Sequence, residues 1–306
     1  MVLNDKTIIV ITGPTGIGKT GLSIHLAQKL NCPVISADSR QIFKEMKIGT
    51  AAPTQEQLEQ APHFLIGTHS IFNYYSAYEY EQEALALTNK LFQQNNTIIL
   101  TGGSMLYIDA FCNGIDDLPT IDPELRQNLQ EKYQKEGIES IRRQLKILDP
   151  VFYEQVDLKN PKRVIHAVEI CLMTGRPYSD LRTNTRKKRP FRIIKVGLDM
   201  DRAELHRRIN LRVDQMIQEG LEEEALNLYP HKDLNALNTV GYREFFDYFD
   251  KKTSRETAIE LIKRNSRRYA RKQLSWFRRD KEITWFDPQS PEEVITFVEE
   301  QLNDGY

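Results

Sequence analysis

The chain has 306 residues, 40% of them hydrophobic and 28% charged, and its net charge is −1. These values are ordinary for a globular protein of about two domains, and they exclude disordered, collagen-like and coiled-coil chains. No apolar run approaches the roughly 18 residues of a membrane helix. The short N-terminal apolar run leads straight into a glycine turn, and the three cysteines form no CxxC pair. We therefore expect a cytoplasmic protein without a signal peptide or disulfides.

The near-neutral total charge hides a strongly basic segment followed by an acidic one. Residues 255–281 carry ten Lys and Arg against three Asp and Glu, whereas residues 282–306 carry seven Asp and Glu and no Lys or Arg. A further basic cluster, TNTRKKR, covers residues 183–189. Charge asymmetry of this kind indicates a polyanionic partner.

The first third of the chain alternates buried strands with helices. Apolar runs at 7–12, 33–36 and 97–100 have the composition of strands that are covered on both faces. Residues 19–30 and 76–94 show the apolar spacing of helices. Strands that alternate with helices predict a parallel sheet with right-handed crossovers.

The pattern changes after Gly114. Residues 122–182 have helical periodicity and almost no strand signal. A strand pattern returns at 191–198, and helical patterns follow at 201–228 and 253–279. We therefore predict an α/β core and a helical insertion. The core comprises residues 1–116 and 190–306, and the insertion comprises residues 117–189.

The turn after the first strand carries a phosphate-binding motif. It matches G-x-x-x-x-G-K-[ST], and a strand precedes it and a helix follows it, as the motif requires. The glycines let backbone N–H groups converge on phosphate oxygens, Lys19 adds a full positive charge, and the Thr20 hydroxyl can ligate Mg²⁺. We therefore expect a P-loop NTPase-like parallel sheet core with an inserted helical domain, and Mg²⁺ as the cofactor. The predicted diphosphate or nucleotide site comprises Gly13, Pro14, Thr15, Gly16, Ile17, Gly18, Lys19 and Thr20.

The motif alone does not decide which phosphate is bound. Nucleotide hydrolases place an acid after another buried strand, but strand 97–100 is followed by Thr-Gly-Gly-Ser. The nearest acid after a strand is Asp38, where a carboxylate reaches the cleft at the strand ends. It can be a kinase-like base, a metal ligand or the base for another nucleophile; alternatively, it caps a turn. Arg212 either holds diphosphate or lies on a solvated helix face.

Six further segments match motifs of one protein family, and they occur in the same order as in that family along nearly the whole chain. They are 38–43 (DSRQIF), 49–53 (GTAAP), 102–107 (GGSMLY), 160–169 (NPKRVIHAVE), 240–244 (VGYRE) and 268–277 (RYARKQLSWF). These segments resemble the tRNA dimethylallyltransferases. His166 stands where Arg is common in that family, and Arg40 stands where a small residue is common, but neither departure removes a required functional group.

The resemblance implies a reaction and a set of residues. It implies transfer of a dimethylallyl group from dimethylallyl diphosphate to N6 of adenosine 37, in tRNAs that read codons starting with U. The P-loop, with Lys19, Thr20 and Mg²⁺, then grips the leaving diphosphate, and Asp38 takes the proton from N6. The resemblance assigns contacts with the tRNA anticodon stem-loop to Asp38, Ser39, Arg40, Gln41, Ser104, Arg126, Lys162, Arg163, Val164, Ile165, His166, Asn238, Thr239, Val240, Gly241, Tyr242 and Arg243.

Four arginines of the C-terminal basic segment recur at helical spacing, so they share one face. They are Arg264, Arg267, Arg268 and Arg271. Phosphate binding is their natural use, although pairing with the acidic tail 282–306 is an alternative. Two other functions compete with tRNA prenylation. An adenylate isopentenyltransferase would need no RNA-binding surface, and a P-loop small-molecule kinase is disfavoured by the missing acid. We expect a monomer that does not bind membranes.

Overall fold

The computed structural model describes residues 6–116, 118–119, 121–182 and 185–303. The chain divides into two compact units, a core unit (Met1–Asn113 and Lys188–Tyr306) and a helical unit (Gly114–Lys187). The sequence placed these boundaries at 116/117 and 189/190, within three residues of both divisions. Residue 117 itself lies outside the described residues.

The described residues contain the predicted strands and helices in their predicted order, together with further elements. The strands are β1 (Thr7–Thr12), β2 (Val34–Ser36), β3 (His63–Phe64), β4 (Thr97–Thr101), β5 (Arg192–Leu198) and β6 (Ile283–Phe286). The helices are α1 (Lys19–Leu30), α2 (Gln55–Gln60), α3 (Ala77–Leu91), α4 (Met105–Asn113), α5 (Pro123–Glu136), α6 (Ile138–Leu148), α7 (Pro150–Gln155), α8 (Pro161–Thr174), α9 (Tyr178–Leu181), α10 (Arg202–Gln218), α11 (Leu221–Leu228), α12 (Tyr242–Phe249), α13 (Arg255–Phe277) and α14 (Pro291–Asn303).

A parallel sheet organises the core unit, with strand order β3-β2-β4-β1-β5-β6. Alternate side chains of the strands enter two separate hydrophobic clusters, because successive side chains point to opposite faces. Ile8 and Val10 join one cluster, and Ile9 and Ile11 join the other. Both faces are therefore covered, as the continuous apolar strands predicted, and the predicted α/β class is confirmed.

The parallel arrangement brings three loops to one edge of the sheet. β2, β4 and β1 are neighbours, so the loops after their carboxyl ends lie side by side. The P-loop follows β1, Asp38 follows β2, and Gly102 and Gly103 follow β4. This edge is where open α/β sheets bind their ligands.

The sequence analysis missed strands β3 and β6, helices α2, α4, α12 and α14, and one helix break. β3 has two residues and β6 has four, and both lie at the edges of the sheet, where burial leaves a weak pattern. The helix predicted over 201–228 is two helices, because Gly220 adopts a φ of 100° between α10 and α11. Such a φ strains residues with a side chain and ends the helix.

The helical unit contains α5 to α9 around its own hydrophobic cluster. The Asp122 side chain accepts a hydrogen bond from Glu124 N, so α5 begins with a capping aspartate followed by a proline. The buried Asp149 accepts hydrogen bonds from Phe152 N and from the backbone and hydroxyl of Ser179, and thereby joins α7 to α9.

Part of the basic cluster 183–189 is structural. Its first two residues, Thr183 and Asn184, lie outside the described residues. The side chain of Arg189 is buried in the core unit, where it donates to the carbonyls of Ala110 and Phe111 and pairs with Glu81 at 2.8 Å. The positive charge of Arg189 is therefore paired within the protein. Of the helices that the structure describes, none is long and apolar enough to cross a membrane.

Candidate active site

The P-loop is built so that its N–H groups face an open cleft. α1 begins at Lys19, and Gly18 precedes it with a φ of 110° and no capping side chain. Among the described residues, no group accepts a hydrogen bond from the backbone N–H of Gly16, Gly18, Lys19 or Thr20. Unsatisfied N–H groups at a helix N-terminus attract anions. The loop can therefore receive a diphosphate, as its sequence predicts.

The side chain of Lys19 folds back onto the P-loop. Its Nζ donates to the carbonyls of Gly13 and Pro14 at 3.0 and 2.9 Å. Burial, with the nearby Arg212, lowers the pKa of Lys19 to about 7, although Asp38 opposes this shift. Lys19 is thus only partly charged at neutral pH, and a bound anion would favour its protonated form.

Asp38 caps a turn, which is one of the roles that the sequence left open. Its Oδ1 accepts hydrogen bonds from Arg40 N at 2.9 Å and Gln41 N at 3.2 Å, so this oxygen shapes the turn after β2. No described residue donates a hydrogen bond to Oδ2. One oxygen therefore holds the loop, and the other is available to a substrate proton or a metal ion.

The loop after β4 packs against the Asp38 loop. A Cβ on Gly102 would lie 2.2 Å from the carbonyl oxygen of Ala37, so only glycine permits this approach. Ser104 Oγ accepts from Ser39 N at 2.7 Å and contacts Ser39 Oγ at 3.0 Å. Ser104 is buried. Its hydroxyl therefore positions the Asp38 loop, whereas the resemblance assigned it an RNA contact.

Gln273 connects this loop to the P-loop and was missed as a site residue. Its Oε1 accepts from Thr15 N at 2.9 Å, and its Nε2 donates to Gly103 O at 2.8 Å. The side chain is buried and lies on the same face of α13 as Ala270 and Phe277. A glutamine within the apolar stripe of a helix was the available signal, because buried amides need polar partners.

These loops surround a cleft of about 840 Å³ in the core unit. Lys19, Asp38 and Arg212 line it together, and Arg212 donates to Ala51 O at 3.3 Å. Arg212 therefore does not lie on a solvated helix face. Arg208, one helical turn away, also lines the cleft. The apolar part of the lining includes Ala51, Ala52, Pro53, Ile66, Leu211 and Met216.

The donor set suits a magnesium ion that a substrate helps to bind. Among the described residues, no group of three or more His, Cys, Asp or Glu could hold a metal alone. Mg²⁺ keeps several waters and takes one or two protein oxygens together with substrate phosphates. Thr20 and Asp38 line the same cleft, and no described residue forms a hydrogen bond with the Thr20 hydroxyl. The residues present therefore fit Mg²⁺ held jointly with a diphosphate.

The predicted RNA contacts of the core unit fall into exposed and buried sets. Asn238, Arg243 and three of the α13 arginines are exposed, and Arg267 is half-buried with a hydrogen bond to Asn210. Tyr242 is fully buried and Gly241 is buried too, so the prediction that the Tyr242 side chain contacts RNA is replaced by a packing role. Arg40 is half-buried and donates to Asn235 O at 3.3 Å. Ser39, Gln41, Thr239 and Val240 are half-buried as well.

The predicted RNA contacts of the helical unit divide in the same way. Lys162 and Arg163 are exposed at the start of α8, whereas Val164 and Ile165 are buried in its hydrophobic cluster and cannot present their side chains to RNA. Arg126 and His166 share one partner: the buried Glu169, at 2.9 Å from Arg126 Nε and 3.4 Å from His166 Nδ1. Packing of α8 into the helical unit therefore leaves its first residues exposed and buries the two that follow.

Comparisons with known proteins agree with this architecture. A sequence model of the family described as IPP transferase matches residues 41–280. The tRNA dimethylallyltransferase 1 of Bacteroides fragilis is 54% identical over 98% of this chain and 100% of its own length. The tRNA dimethylallyltransferase of Christiangramia forsetii is 47% identical over 97% and 98%.

Solved structures show the same likeness. The full-length tRNA isopentenylpyrophosphate transferase of Bacillus halodurans has a TM-score of 0.71 and 34% identity, with 98% of each chain covered. A eukaryotic dimethylallyltransferase, described as acting on tRNA, has a TM-score of 0.77 and 26% identity over 92% of this chain and 74% of its own. These matches agree with a cleft that contains both a P-loop and a carboxylate. The chain belongs to the IPP transferase family, and it is a transferase related to the tRNA dimethylallyltransferases.

Proposed function

We propose that the protein transfers a dimethylallyl group from dimethylallyl diphosphate to N6 of adenosine 37, in tRNAs that read codons starting with U. The observation that carries this proposal is the pairing of an open P-loop with the free Oδ2 of Asp38 in one cleft. Membership of the IPP transferase family supports the group that is transferred. The proposal also implies a cytoplasmic enzyme, and since one chain forms the cleft, a monomer suffices.

The P-loop acts on the leaving group. As the bond between the allylic carbon and its oxygen breaks, negative charge develops on the departing diphosphate. The N–H groups of the loop, Lys19 and Arg212 are positioned to stabilise that charge where it forms. A magnesium ion held by Thr20 and the diphosphate would neutralise further charge. No ATP is consumed in this scheme.

Asp38 acts on the nucleophile. The lone pair of the adenine amino group is delocalised into the ring, so N6 is a poor nucleophile until it loses a proton. As the bond between N6 and the allylic carbon forms, Asp38 Oδ2 accepts that proton, and diphosphate leaves. Bases of the anticodon loop are already unpaired, so extruding one into the cleft costs less than in a duplex.

The basic face of α13 supports RNA as the second substrate. Arg264, Arg268 and Arg271 are exposed, and within the part of the chain that the structure describes they form no ion pair. The acidic tail uses other cations, such as Lys195 for Glu282 and Lys29 for Glu299. Pairing of these arginines with the tail is therefore disfavoured, which leaves their charge available to phosphates.

Replacing Arg268 and Arg271 by alanine is expected to weaken tRNA binding and to flatten its salt dependence. The log–log slope should fall by roughly one unit per lost phosphate contact. Binding titrations at several salt concentrations measure it. Lys263→Ala is the matched control on the same helix, because Lys263 is already paired with Asp214 at 2.7 Å. An unchanged slope in the double variant would remove these arginines from the RNA surface.

The function itself is tested with labelled dimethylallyl diphosphate. The purified protein is incubated with bulk tRNA, with AMP or with ATP, and label is followed into each. We expect label in tRNA alone, independent of added ATP, and abolished by chelation of Mg²⁺. Label in AMP would favour the adenylate isopentenyltransferase alternative. Product formation that requires ATP hydrolysis would contradict the leaving-group role of the P-loop.

A further inference from the structure

A short segment, residues 47–53, forms one wall of the cleft. Ala51, Ala52 and Pro53 contribute apolar lining, and the φ of Ala51 is 46°, in the left-handed region that residues with a side chain rarely adopt. Gln41 Nε2 donates to the carbonyls of Thr50 and Ala51, each at 3.1 Å. The segment thus keeps its shape only because contacts elsewhere in the core unit hold it.

Its strongest anchor is a single carboxylate from α11. Glu224 Oε2 accepts hydrogen bonds from Lys47 N and Ile48 N, and Oε1 accepts one from Gly49 N, all at 2.9 Å. Three successive N–H groups that converge on one anion form a concave nest. Hydrogen bonds to an ionised group are stronger than neutral ones, so this contact fixes the start of the segment.

Tyr242 contacts both Glu224 and the segment. Its hydroxyl donates to Glu224 Oε1 at 2.7 Å, and its ring is fully buried. A Cβ on Gly49 would lie 2.6 Å from the Tyr242 hydroxyl, so the segment rests directly on this side chain. Burial and the Glu224 charge raise the pKa of Tyr242 well above its ordinary value, which keeps the hydroxyl protonated as a donor.

We propose that Glu224, supported by Tyr242, is a positioning residue that sets the apolar wall against which the dimethylallyl group lies. This inference rests on the proposed function, because it assumes that substrate. It explains why a tyrosine within a segment expected to touch RNA is buried instead. It also separates two roles within 238–243: the exposed Arg243 can face a partner, whereas Tyr242 acts through Glu224.

The test is a steady-state comparison of Glu224→Gln, Tyr242→Phe and the double variant, with both substrates varied. We expect Glu224→Gln to raise the KM for dimethylallyl diphosphate by about 10- to 100-fold, the range for losing hydrogen bonds to a charged group. Tyr242→Phe keeps the ring and loses one bond, so about 2- to 10-fold is expected. The KM for tRNA should change less than twofold in both.

Two further readouts identify a positioning role. The double variant should resemble Glu224→Gln alone, since both residues act on one segment. The preference for dimethylallyl over geranyl diphosphate, as a ratio of kcat/KM, should fall in Glu224→Gln because the wall loosens. Glu223→Gln is the matched control: it makes the same charge change one position away on an exposed side chain.

Three outcomes would overturn the inference. The first is an unchanged KM for dimethylallyl diphosphate in Glu224→Gln. The second is a KM in the double variant that equals the sum of the two single effects on a free-energy scale. The third is an equal rise in the KM for dimethylallyl diphosphate and for tRNA. If Glu224→Gln does not fold, an unchanged KM in Tyr242→Phe is decisive. Failure of the proposed function is distinguishable, since the unmodified protein would then transfer no label to tRNA.

Discussion

Asp38→Asn is expected to lower the single-turnover rate of dimethylallyl transfer by about 10²- to 10⁴-fold, the range for loss of a general base. An asparagine side-chain oxygen can still accept the hydrogen bonds from Arg40 N and Gln41 N, so the turn after β2 is retained. Only the proton acceptor is lost. Rapid-quench measurements with prebound tRNA and dimethylallyl diphosphate isolate this step.

Asp38→Ala provides the comparison, because it removes both the turn bonds and the base. We expect it to be as slow as Asp38→Asn and less stable to urea, while affinity for tRNA changes far less than the rate in either variant. A near-normal rate in Asp38→Asn together with a slow rate in Asp38→Ala would show that only the turn matters, and the base would then be another group.

Lys19→Met is expected to cost about 2–4 kcal/mol of transition-state stabilisation, or roughly 30- to 1000-fold in kcat/KM, as for one preorganised charge. Methionine keeps most of the side-chain volume and removes only the charge. Lys29→Met is the matched control on the same helix, because Lys29 is exposed and pairs with Glu299. Equal kinetics for both variants would exclude a role for Lys19 in diphosphate departure.

The lowered pKa of Lys19 gives this prediction a pH dependence. With a pKa of about 7, the free protein binds fewer protons between pH 7 and 10.5 than the unfolded chain does. The contribution of Lys19 to the free energy of unfolding is therefore most unfavourable below pH 7 and becomes less unfavourable as the pH rises. We expect Lys19→Met to melt at a higher temperature than the unmodified protein at pH 6, and loss of activity then does not reflect unfolding.

The same pKa predicts proton uptake. At pH 8 most of the free protein has neutral Lys19, so binding diphosphate should take up most of one proton. Calorimetric titrations in two buffers of different ionisation enthalpy measure this number. Lys19→Met should abolish the uptake, and uptake that persists in the variant would have to come from another group.

Features that depend on neighbouring residues could be predicted from the sequence. The P-loop and the buried strands β1, β2, β4 and β5 follow from spacing within a few residues, where backbone conformation is decided locally. The position of Asp38 beside the P-loop also followed, since carboxyl ends of parallel strands share one edge. The six family segments identified the chemistry, because their residues match motif by motif.

The packing of distant segments determines which side-chain atoms have hydrogen-bond partners among the described residues. Whether Asp38 caps a turn or accepts a proton depends on two oxygens of one side chain, and sequence cannot divide them. Gln273 joins residues 170 and 258 positions away along the chain, and Glu224 reaches three N–H groups about 176 positions away. Such contacts exist only after the sheet and α10 to α13 pack together. The burial of Tyr242, Val164 and Ile165 was likewise set by packing, which turns some residues of a motif toward the core and leaves their neighbours exposed.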